Sequence, residues 1–299
     1  MAAPRASLLP ATLMERLERL SLLARRPVKG WSAGQRRSRK TGHSVEFADY
    51  RPYGQGDDLR YVDWNIYART QRMVVKLFVD DEELCLHLLL DASASMTLGT
   101  PSKLDWAAQL AASLGFVGLT GLERVGLGVM RDQVAEGWAP ARGRARIPPL
   151  MDFLGKLRGE GRTSLNEALS RYAAMQPGGG VAVLMSDLLD PSGFQPGLRA
   201  LQERGFEVHV THVLSPEDLD PGSDPTLRGE LRLIDRETGE ARALRIDEQA
   251  LAGYRERLAQ FLADAEQFCR SHAIGYHRAS TASSVESLVM GSLRGRLLD

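Results

Sequence analysis

The sequence predicts an α/β protein in which a small N-terminal β subdomain precedes a doubly wound, mainly parallel sheet of the Rossmann-like kind. Three observations support this prediction: apolar runs that do not alternate with polar residues, amphipathic helical stretches between those runs, and a glycine-rich, aromatic-containing segment before them. Continuous apolar strands indicate a sheet that helices cover on both faces. A chain of 299 residues is long enough to bury such a core.

The first part of the chain, residues 1–29, is expected to hold a short amphipathic helix and a basic linker. Leucines recur at helical spacing over residues 12 to about 25, and Thr12-Leu-Met-Glu15 has the pattern of a capping box. Arginines and lysines cluster over residues 25–40. Such a run is more often a solvated linker than a contact with phosphate or an acidic partner, and both interpretations stay open.

Residues 30–82 predict the small, irregular β subdomain. Helical periodicity is absent there, and the closely spaced glycines indicate tight turns. The segment ends in the strand-like run 73–79.

Residues 83–299 predict the α/β domain, because apolar strands and amphipathic helices alternate along them. Strands are expected at 84–90, 125–130, 181–185 and 206–213, with a short late one near Tyr276. Helices are expected at 102–119, 147–157, 164–175, 194–204, 247–272 and 284–297. Within residues 227–246, apolar and polar residues alternate around a glycine turn, which predicts an exposed β-hairpin inserted into this domain.

Composition argues against several classes of partner. Lys+Arg and Asp+Glu both number 38, so no overall charge points to nucleic acid or anionic lipid. Cys85 and Cys269 form no CxxC motif or Cys/His cluster, which indicates core cysteines in a reducing compartment. No apolar run approaches the ~20 residues of a membrane span, and no continuous apolar signal region is present near the N-terminus. We therefore expect a cytoplasmic protein without a membrane span.

The apolar run 84–90 leads directly into Asp91-Ala-Ser-Ala-Ser95, which offers an acid and two hydroxyls. Ligands of open α/β sheets collect beyond the carboxyl ends of the strands, where an extended turn can aim alternate side chains at one point. Such oxygen donors suit Mg²⁺, and also Mn²⁺ or Ca²⁺, better than soft metals. Thr163, in a loop before a predicted helix, and Asp187, at the end of a predicted strand, offer further oxygens at the same edge.

A plainer interpretation is that Asp91, Ser93 and Ser95 only cap the next turn, as Asp and Ser often do. For these three residues alone we prefer that interpretation. When Thr163 and Asp187 are included, a metal site is favoured.

The order Asp91-x-Ser93-x-Ser95, then Thr163 in a loop, then Asp187 at a strand end, resembles the metal-ion-dependent adhesion site of von Willebrand factor A domains. The resemblance implies a divalent cation, Mg²⁺ first, with one coordination position open. A carboxylate from a protein partner would then complete the shell of the ion.

The segment Gly56-Asp-Asp-Leu-Arg-Tyr-Val-Asp-Trp64, with residues 38–53 before it and Val75-Lys-Leu-Phe78 after it, is similar to the signature of the bacterial domain-of-unknown-function family numbered fifty-eight. The resemblance implies a von Willebrand factor A-like domain that works with a MoxR-type AAA+ ATPase in protein maturation or remodelling. The acidic and basic residues of this segment are expected to form a local network of turn hydrogen bonds and ion pairs, more readily than a second functional surface.

These observations predict a non-enzymatic, metal-dependent protein-binding module with no catalytic residues. A phosphotransfer enzyme with Asp91 as nucleophile would carry a second acid where Ser93 stands, and neither a G-x-S-x-G elbow nor a P-loop motif is present. The alternative is a metal-dependent phosphohydrolase, for which Asp187 and Asp190 would supply further carboxylates. A third hypothesis is a structural role without metal. His87, in the apolar run, is expected to be a core histidine.

Overall fold

The computed structural model describes residues 8–23, 46–79, 84–131, 134–162, 164–176, 179–223, 229–235 and 239–299. The chain divides into two units, of which one is Pro27–Glu83 and the other joins Met1–Arg26 to Leu84–Asp299. The smaller unit is therefore inserted, in sequence, into the larger one. The predicted basic run 25–40 lies outside the described residues, as does the first part of the predicted β subdomain up to residue 45.

The N-terminal helix belongs to the larger unit. Helix α1 (Ala11–Leu17) buries Leu13 and Leu17 in the main hydrophobic core of that unit. After the helix the chain extends, and the backbone N–H of Leu23 donates to the carbonyl of Leu297 at 2.8 Å. The start and the end of the larger unit are thus joined by main-chain hydrogen bonding.

Two details of the predicted first helix are wrong. The helix ends at Leu17 rather than near residue 25, because the chain turns there to reach the C-terminal residues. It begins at Ala11, so Thr12 lies inside the first turn and cannot act as the cap. Pro10 stands at the cap position without a side-chain hydrogen bond.

The described part of the smaller unit, residues 46–79, forms a two-stranded antiparallel sheet, a 3-10 turn (Leu59–Tyr61) and a short α-helix. Strand β1 (Glu46–Pro52) pairs with strand β2 (Val74–Val79), and helix α2 (Trp64–Thr70) lies between them in sequence. The sequence does not predict α2, since seven residues are too few to show helical periodicity. Its signal is Asp63, whose carboxylate accepts hydrogen bonds from two backbone amides of the first turn at 2.9 and 3.1 Å.

A six-stranded sheet forms the centre of the larger unit. The strands of this unit are β3 (Cys85–Asp91), β4 (Arg124–Met130), β5 (Val134–Ala141), β6 (Gly180–Ser186), β7 (Phe206–Leu214), β8 (Gly229–Ile234), β9 (Ala241–Ile246) and β10 (Gly275–Ser280). The sheet order is β10-β7-β6-β3-β4-β5, and only β5, at one edge, runs antiparallel to its neighbour. Strands β8 and β9 form a separate antiparallel hairpin at the predicted place, and their side chains are exposed or half-buried.

Helices cover both faces of the sheet, as the sequence predicts. After α2 they are α3 (Lys103–Thr120), α4 (Ile147–Lys156), α5 (Leu165–Met175), α6 (Gln195–Glu203), α7 (Pro216–Leu219), α8 (Glu248–Ser271) and α9 (Val285–Met290). Leu86, Leu88 and Leu90 of β3 join the core that contains α1, α3, α4 and α9, whereas Leu89 joins the core that contains α5, α6 and α8. In the part of the chain that the structure describes, no helix has the length and apolar character needed to cross a membrane.

Besides α1, three strands or α-helices of the larger unit differ from the prediction. The four-residue helix α7 is not predicted, because it is too short to show helical periodicity. Strand β5 is not predicted, because its Gly137 and Pro140 are residues that usually mark turns or strand edges. The last helix, α9, ends at Met290 instead of continuing to residue 297. Leu293 and Leu297, beyond the helix, are nevertheless fully buried. Because they are four residues apart, the sequence shows the apolar spacing of a further helical turn.

The strand order fixes where a ligand is expected. The chain starts the sheet at β3, adds β4 and β5 on one side, and then adds β6, β7 and β10 on the other. Ligands of open α/β sheets bind in the crevice at such a reversal, outside the carboxyl ends of the strands. Here these ends are Asp91 of β3 and Ser186 of β6.

Candidate functional site

The loop after β3 is folded around the carboxylate of Asp91. The backbone N–H of Ser93 donates to Asp91 Oδ1 at 3.0 Å, and the hydroxyl of Ser186 donates to Asp91 Oδ2 at 2.6 Å. The hydroxyls of Ser93 and Ser95 lie 2.9 Å apart. Asp91 and Ser93 are buried, and Ser95 is half-buried. The structure therefore brings the three predicted oxygen donors of this loop together.

Burial makes the Asp91 carboxylate costly to ionise. Its side chain is only 2% exposed, and burial, together with the nearby negative charge of Asp187, raises the pKa of Asp91 to about 6. Hydrogen bonds from Ser186 and Ser93 oppose this rise without cancelling it. An additional positive charge at this position would favour the ionised form.

The loop before α5 lies directly against the Asp91 loop. The backbone N–H of Glu160 donates to the carbonyl of Ala92 at 2.9 Å, and the N–H of Ala94 donates to the carbonyl of Gly161 at 3.0 Å. A Cβ on Gly159 would lie 2.8 Å from the carbonyl oxygen of Ser93, so the approach requires glycine. Thr163 itself lies outside the described residues, and its place in the site stays a prediction.

Asp187 also reaches this edge of the sheet, but both of its carboxylate oxygens already have donors. Oδ1 accepts from the backbone N–H of Leu189 at 3.1 Å, and Oδ2 accepts from Lys103 Nζ at 2.7 Å. The same ammonium lies 3.0 Å from Oδ2 of Asp218, in the short helix α7. Lys103 is fully buried.

Lys103 and Asp218 are not predicted from the sequence. Burial disfavours the charged ammonium, but the charges of Asp187 and Asp218 outweigh this effect and keep the pKa of Lys103 above its ordinary value. One feature of the sequence could have indicated that Lys103 is paired with an acid. Lys103 is the first residue of α3, directly after the cap Ser102, and a cation is unfavourable at the N-terminus of a helix unless another group compensates it.

His212 of β7 fixes the backbone behind Asp187. Burial lowers the pKa of His212 to about 4, so the ring is neutral near pH 7. Its Nε2 lies 2.9 Å from the carbonyl oxygen of Asp187 and must donate there, which leaves Nδ1 to accept from the hydroxyl of Tyr276 at 2.8 Å. The backbone of Asp187 is therefore held by His212, and its carboxylate is held by Lys103 and the N–H of Leu189.

The residues fit a divalent cation in part. Asp91, Ser93 and Ser95 are clustered oxygen donors of the kind that Mg²⁺ favours, and burial together with the charge of Asp187 raises the pKa of Asp91 to about 6. Asp187 does not fit as a direct ligand, because its carboxylate already contacts a cation, the ammonium of Lys103, at 2.7 Å. Among the described residues, no group of three or more His, Cys, Asp and Glu side chains is arranged to hold a metal.

Asp190, which a phosphohydrolase was expected to use, has a structural role. Its Oδ2 accepts from the backbone N–H of Leu165 at 2.6 Å, at the start of α5. Its Oδ1 accepts from the backbone and the hydroxyl of Ser192, each at 2.7 Å. These bonds fix a loop and a helix end, as carboxylates do at helix N-termini.

The acidic residues of the smaller unit form the expected network of turn contacts. Arg51 donates to both oxygens of Asp57 at 2.6 and 2.7 Å, and this contact lowers the pKa of Asp57 to about 2. Lys76 lies 3.0 Å from Asp63, the cap of α2. His87, in the larger unit, is a buried core histidine whose Nδ1 lies 2.9 Å from the hydroxyl of Tyr172.

The chain resembles several known proteins. Residues 49–265 match the family described as Protein of unknown function DUF58. The uncharacterized protein Rv1480 of Mycobacterium tuberculosis is 31% identical over 241 residues, which are 77% of this chain and 73% of the relative. The uncharacterized protein Mb1516 of Mycobacterium bovis gives the same values.

Among solved structures, the conserved hypothetical protein BatB from Bacteroides thetaiotaomicron matches with a TM-score of 0.41 and 18% identity, over 69% of this chain and 95% of that one. The pilus adhesin SpaC from Lactobacillus rhamnosus GG, in its open conformation, matches with a TM-score of 0.44 and 13% identity, over 71% of this chain and 30% of that one. On the family match and the mycobacterial relatives, the chain belongs to the DUF58 family.

Proposed function

We propose that this protein is a non-enzymatic protein-binding module of von Willebrand factor A-like architecture, which uses a divalent cation at the ends of β3 and β6 to bind a carboxylate of a partner. The observation that carries the proposal is the buried Asp91 carboxylate, clustered with two hydroxyls at the reversal of the strand order. A cation there relieves the repulsion between Asp91 and Asp187 and attracts a further acid.

Asp91, Ser93 and Ser95 would hold the ion, with Thr163 as the contribution of the adjoining loop. Mg²⁺ is the first candidate, and Mn²⁺ or Ca²⁺ would suit the same oxygen donors. When bound, the ion supplies a Lewis-acidic position for a carboxylate oxygen from outside. The chain's own residues orient that position: Ser186 fixes Asp91 through its hydroxyl, and the backbone of residues 159–161 supports the loop from the other side.

The class of partner follows from the resemblance of the segment 56–64 and its flanking residues to the signature of the DUF58 family. We propose that a MoxR-type AAA+ ATPase is the working partner, and that the module acts as its adaptor or co-chaperone in protein maturation or remodelling. The proposed location is the cytoplasm, which is supported by the presence of both cysteines as thiols. A metal-dependent phosphohydrolase is the weaker candidate, since Asp190 is engaged at the start of α5.

Calorimetric titration with Mg²⁺ and Mn²⁺ tests the site. We expect saturable heats for the unaltered protein and none for Asp91→Ala, while Asp152→Asn, which changes an exposed acid of α4, should bind as the unaltered protein does. Equal heats for the unaltered protein and Asp91→Ala would rule out the proposed metal site. Capture of the ATPase on the immobilised protein should be lost in EDTA. Metal-dependent turnover of p-nitrophenyl phosphate that disappears with Asp91→Ala would favour the hydrolase instead.

A further inference from the structure

The ammonium of Lys103 pairs with two carboxylates beside the strand ends, those of Asp187 and Asp218. Nζ lies 2.7 Å from Asp187 Oδ2 and 3.0 Å from Asp218 Oδ2, and the side chain is fully buried. A buried ammonium requires partners of opposite charge, and these two carboxylates supply them.

A divalent ion and this ammonium compete for the same oxygen. Mg²⁺ binds carboxylate oxygen at roughly 2.1 Å, whereas the ammonium already lies 2.7 Å from Asp187 Oδ2. Two cations that share one buried oxygen repel each other strongly, because little solvent screens them. An ion on Asp187 Oδ1 would bind the same carboxylate as the ammonium, so the repulsion between the two cations would persist there.

The ammonium is also held from the side of Asp218, which makes its withdrawal unfavourable. Oδ2 of Asp218 accepts from the backbone N–H of Ser215 at 2.8 Å, and the carbonyl of Asp218 accepts from the hydroxyl of Tyr254 at 2.7 Å. Helix α8, which carries Tyr254, thereby supports the turn that binds Lys103. The ammonium is a fixed part of the site.

We propose that Lys103 is the resident cation of Asp187 and Asp218, and that it keeps Asp187 out of the direct coordination of the metal. This inference rests on the proposed function only in naming Asp91, Ser93 and Ser95 as the remaining ligands. Lys103 is then a positioning residue that sets metal affinity: with one ionised ligand instead of two, the ion binds weakly and exchanges readily. Removal of the ammonium would convert the edge into a tighter site with two carboxylates.

Mn²⁺ titration by calorimetry tests this, with Lys103→Met, Asp187→Asn and the unaltered protein side by side. A like charge within a few ångströms commonly shifts a binding equilibrium by about tenfold or more. We therefore expect Lys103→Met to bind Mn²⁺ at least about tenfold more tightly, and Asp187→Asn, which removes a negative charge and keeps the ammonium, to bind no more tightly than the unaltered protein. A purely structural lysine would leave Mn²⁺ affinity unchanged.

A double variant guards against failure to fold. Lys103→Met leaves two buried carboxylates without their cation and is expected to be less stable. Lys103→Met with Asp218→Asn removes one positive and one negative charge, so the net charge of the cluster is conserved while Asp187 becomes available. This double variant should also bind Mn²⁺ more tightly, and Mn²⁺ should raise its melting temperature more than that of the unaltered protein.

The outcomes separate this inference from the proposed function. Tighter binding by the Lys103 variants supports the inference whether or not the unaltered protein binds Mn²⁺; if the unaltered protein does not bind, only the metal-dependent function fails. Equal or weaker binding by the Lys103 variants, with binding by the unaltered protein, overturns the inference and leaves the function. No binding by any protein overturns both.

Discussion

Asp91→Asn is expected to stabilise the metal-free protein at neutral pH while abolishing its response to metal. The folded state raises the pKa of Asp91 from 3.8 to about 6, which corresponds to about 3 kcal/mol when the carboxylate is fully ionised. The buried charge therefore opposes folding at pH 8. Asparagine is nearly isosteric and carries no charge, so the substitution removes this penalty.

The expected net gain is smaller than the electrostatic penalty. The introduced carboxamide would keep an oxygen for the N–H of Ser93, but its NH₂ group would donate to the oxygen of Ser186, whose hydroxyl proton then loses its acceptor. The loss of such a bond costs about 1 kcal/mol. We expect Asp91→Asn to raise the free energy of unfolding by about 2 kcal/mol at pH 8.

The sign of the effect should depend on pH. A folded pKa above the unfolded value means that the folded state binds the proton more tightly, so the contribution of Asp91 to stability is lost as pH rises from about 4 through about 6. At pH 4.5 most of the benefit of Asp91→Asn disappears, and the lost hydrogen bond makes the variant equal to or less stable than the unaltered protein.

Urea unfolding at pH 4.5 and pH 8, with and without Mg²⁺, measures this difference. Mg²⁺ should stabilise the unaltered protein at pH 8 and leave Asp91→Asn unchanged, because the variant lacks the one ionised ligand of the proposed site. The same difference in stability at both pH values would refute the electrostatic reasoning. Destabilisation of the variant at pH 8 in EDTA would refute it as well.

Three further predictions concern packing and the supporting loop. Leu17→Ala should lower the free energy of unfolding by about 2–5 kcal/mol, whereas Leu122→Ala, at a side chain that is 66% exposed, should change it by under about 0.5 kcal/mol in urea unfolding. Tyr172→Phe removes the hydroxyl beside the buried His87, whose pKa is lowered to about 4 by burial and by the charge of Arg124. We expect the free energy of unfolding to fall by about 1–2 kcal/mol at pH 7.5. In both proteins it should also fall as pH drops from 6.5 toward 4, because His87 takes up a proton in the unfolded state while the folded ring stays neutral. Gly159→Val should displace the loop against the Asp91 turn and weaken Mn²⁺ binding in calorimetry, while an unchanged affinity would show that this loop does not support the site.

The sequence predicts those parts of the fold that bury a continuous apolar surface. The parallel strands β3, β4, β6 and β7 are apolar because helices cover both faces of the sheet. Their positions agree with the prediction to within one or two residues. Strand β5 and helix α2 escape prediction because one is a partly exposed edge and the other is a single short element fixed by the cap Asp63.

The candidate site likewise contains residues that the sequence predicts and residues that it does not. Asp91, Ser93 and Ser95 are predictable because they follow one strand in a local pattern, and Asp187 because it ends another strand. The pairing of Lys103 with Asp187 and Asp218 joins positions far apart in sequence, and charge pairing over such separations leaves no periodic pattern. The signal at Lys103 is only an energetic inconsistency, a cation at the start of a helix.

The insertion of the smaller unit between Met1–Arg26 and the first strand of the sheet has a practical consequence. The segments before and after the insertion belong to one hydrophobic core, and Leu23 is tied to Leu297. Chimeras that exchange residues 27–83 with the matching stretch of a mycobacterial relative would retain every described donor around Asp91. Such hybrids can assign partner choice to one unit or the other without altering the cation chemistry.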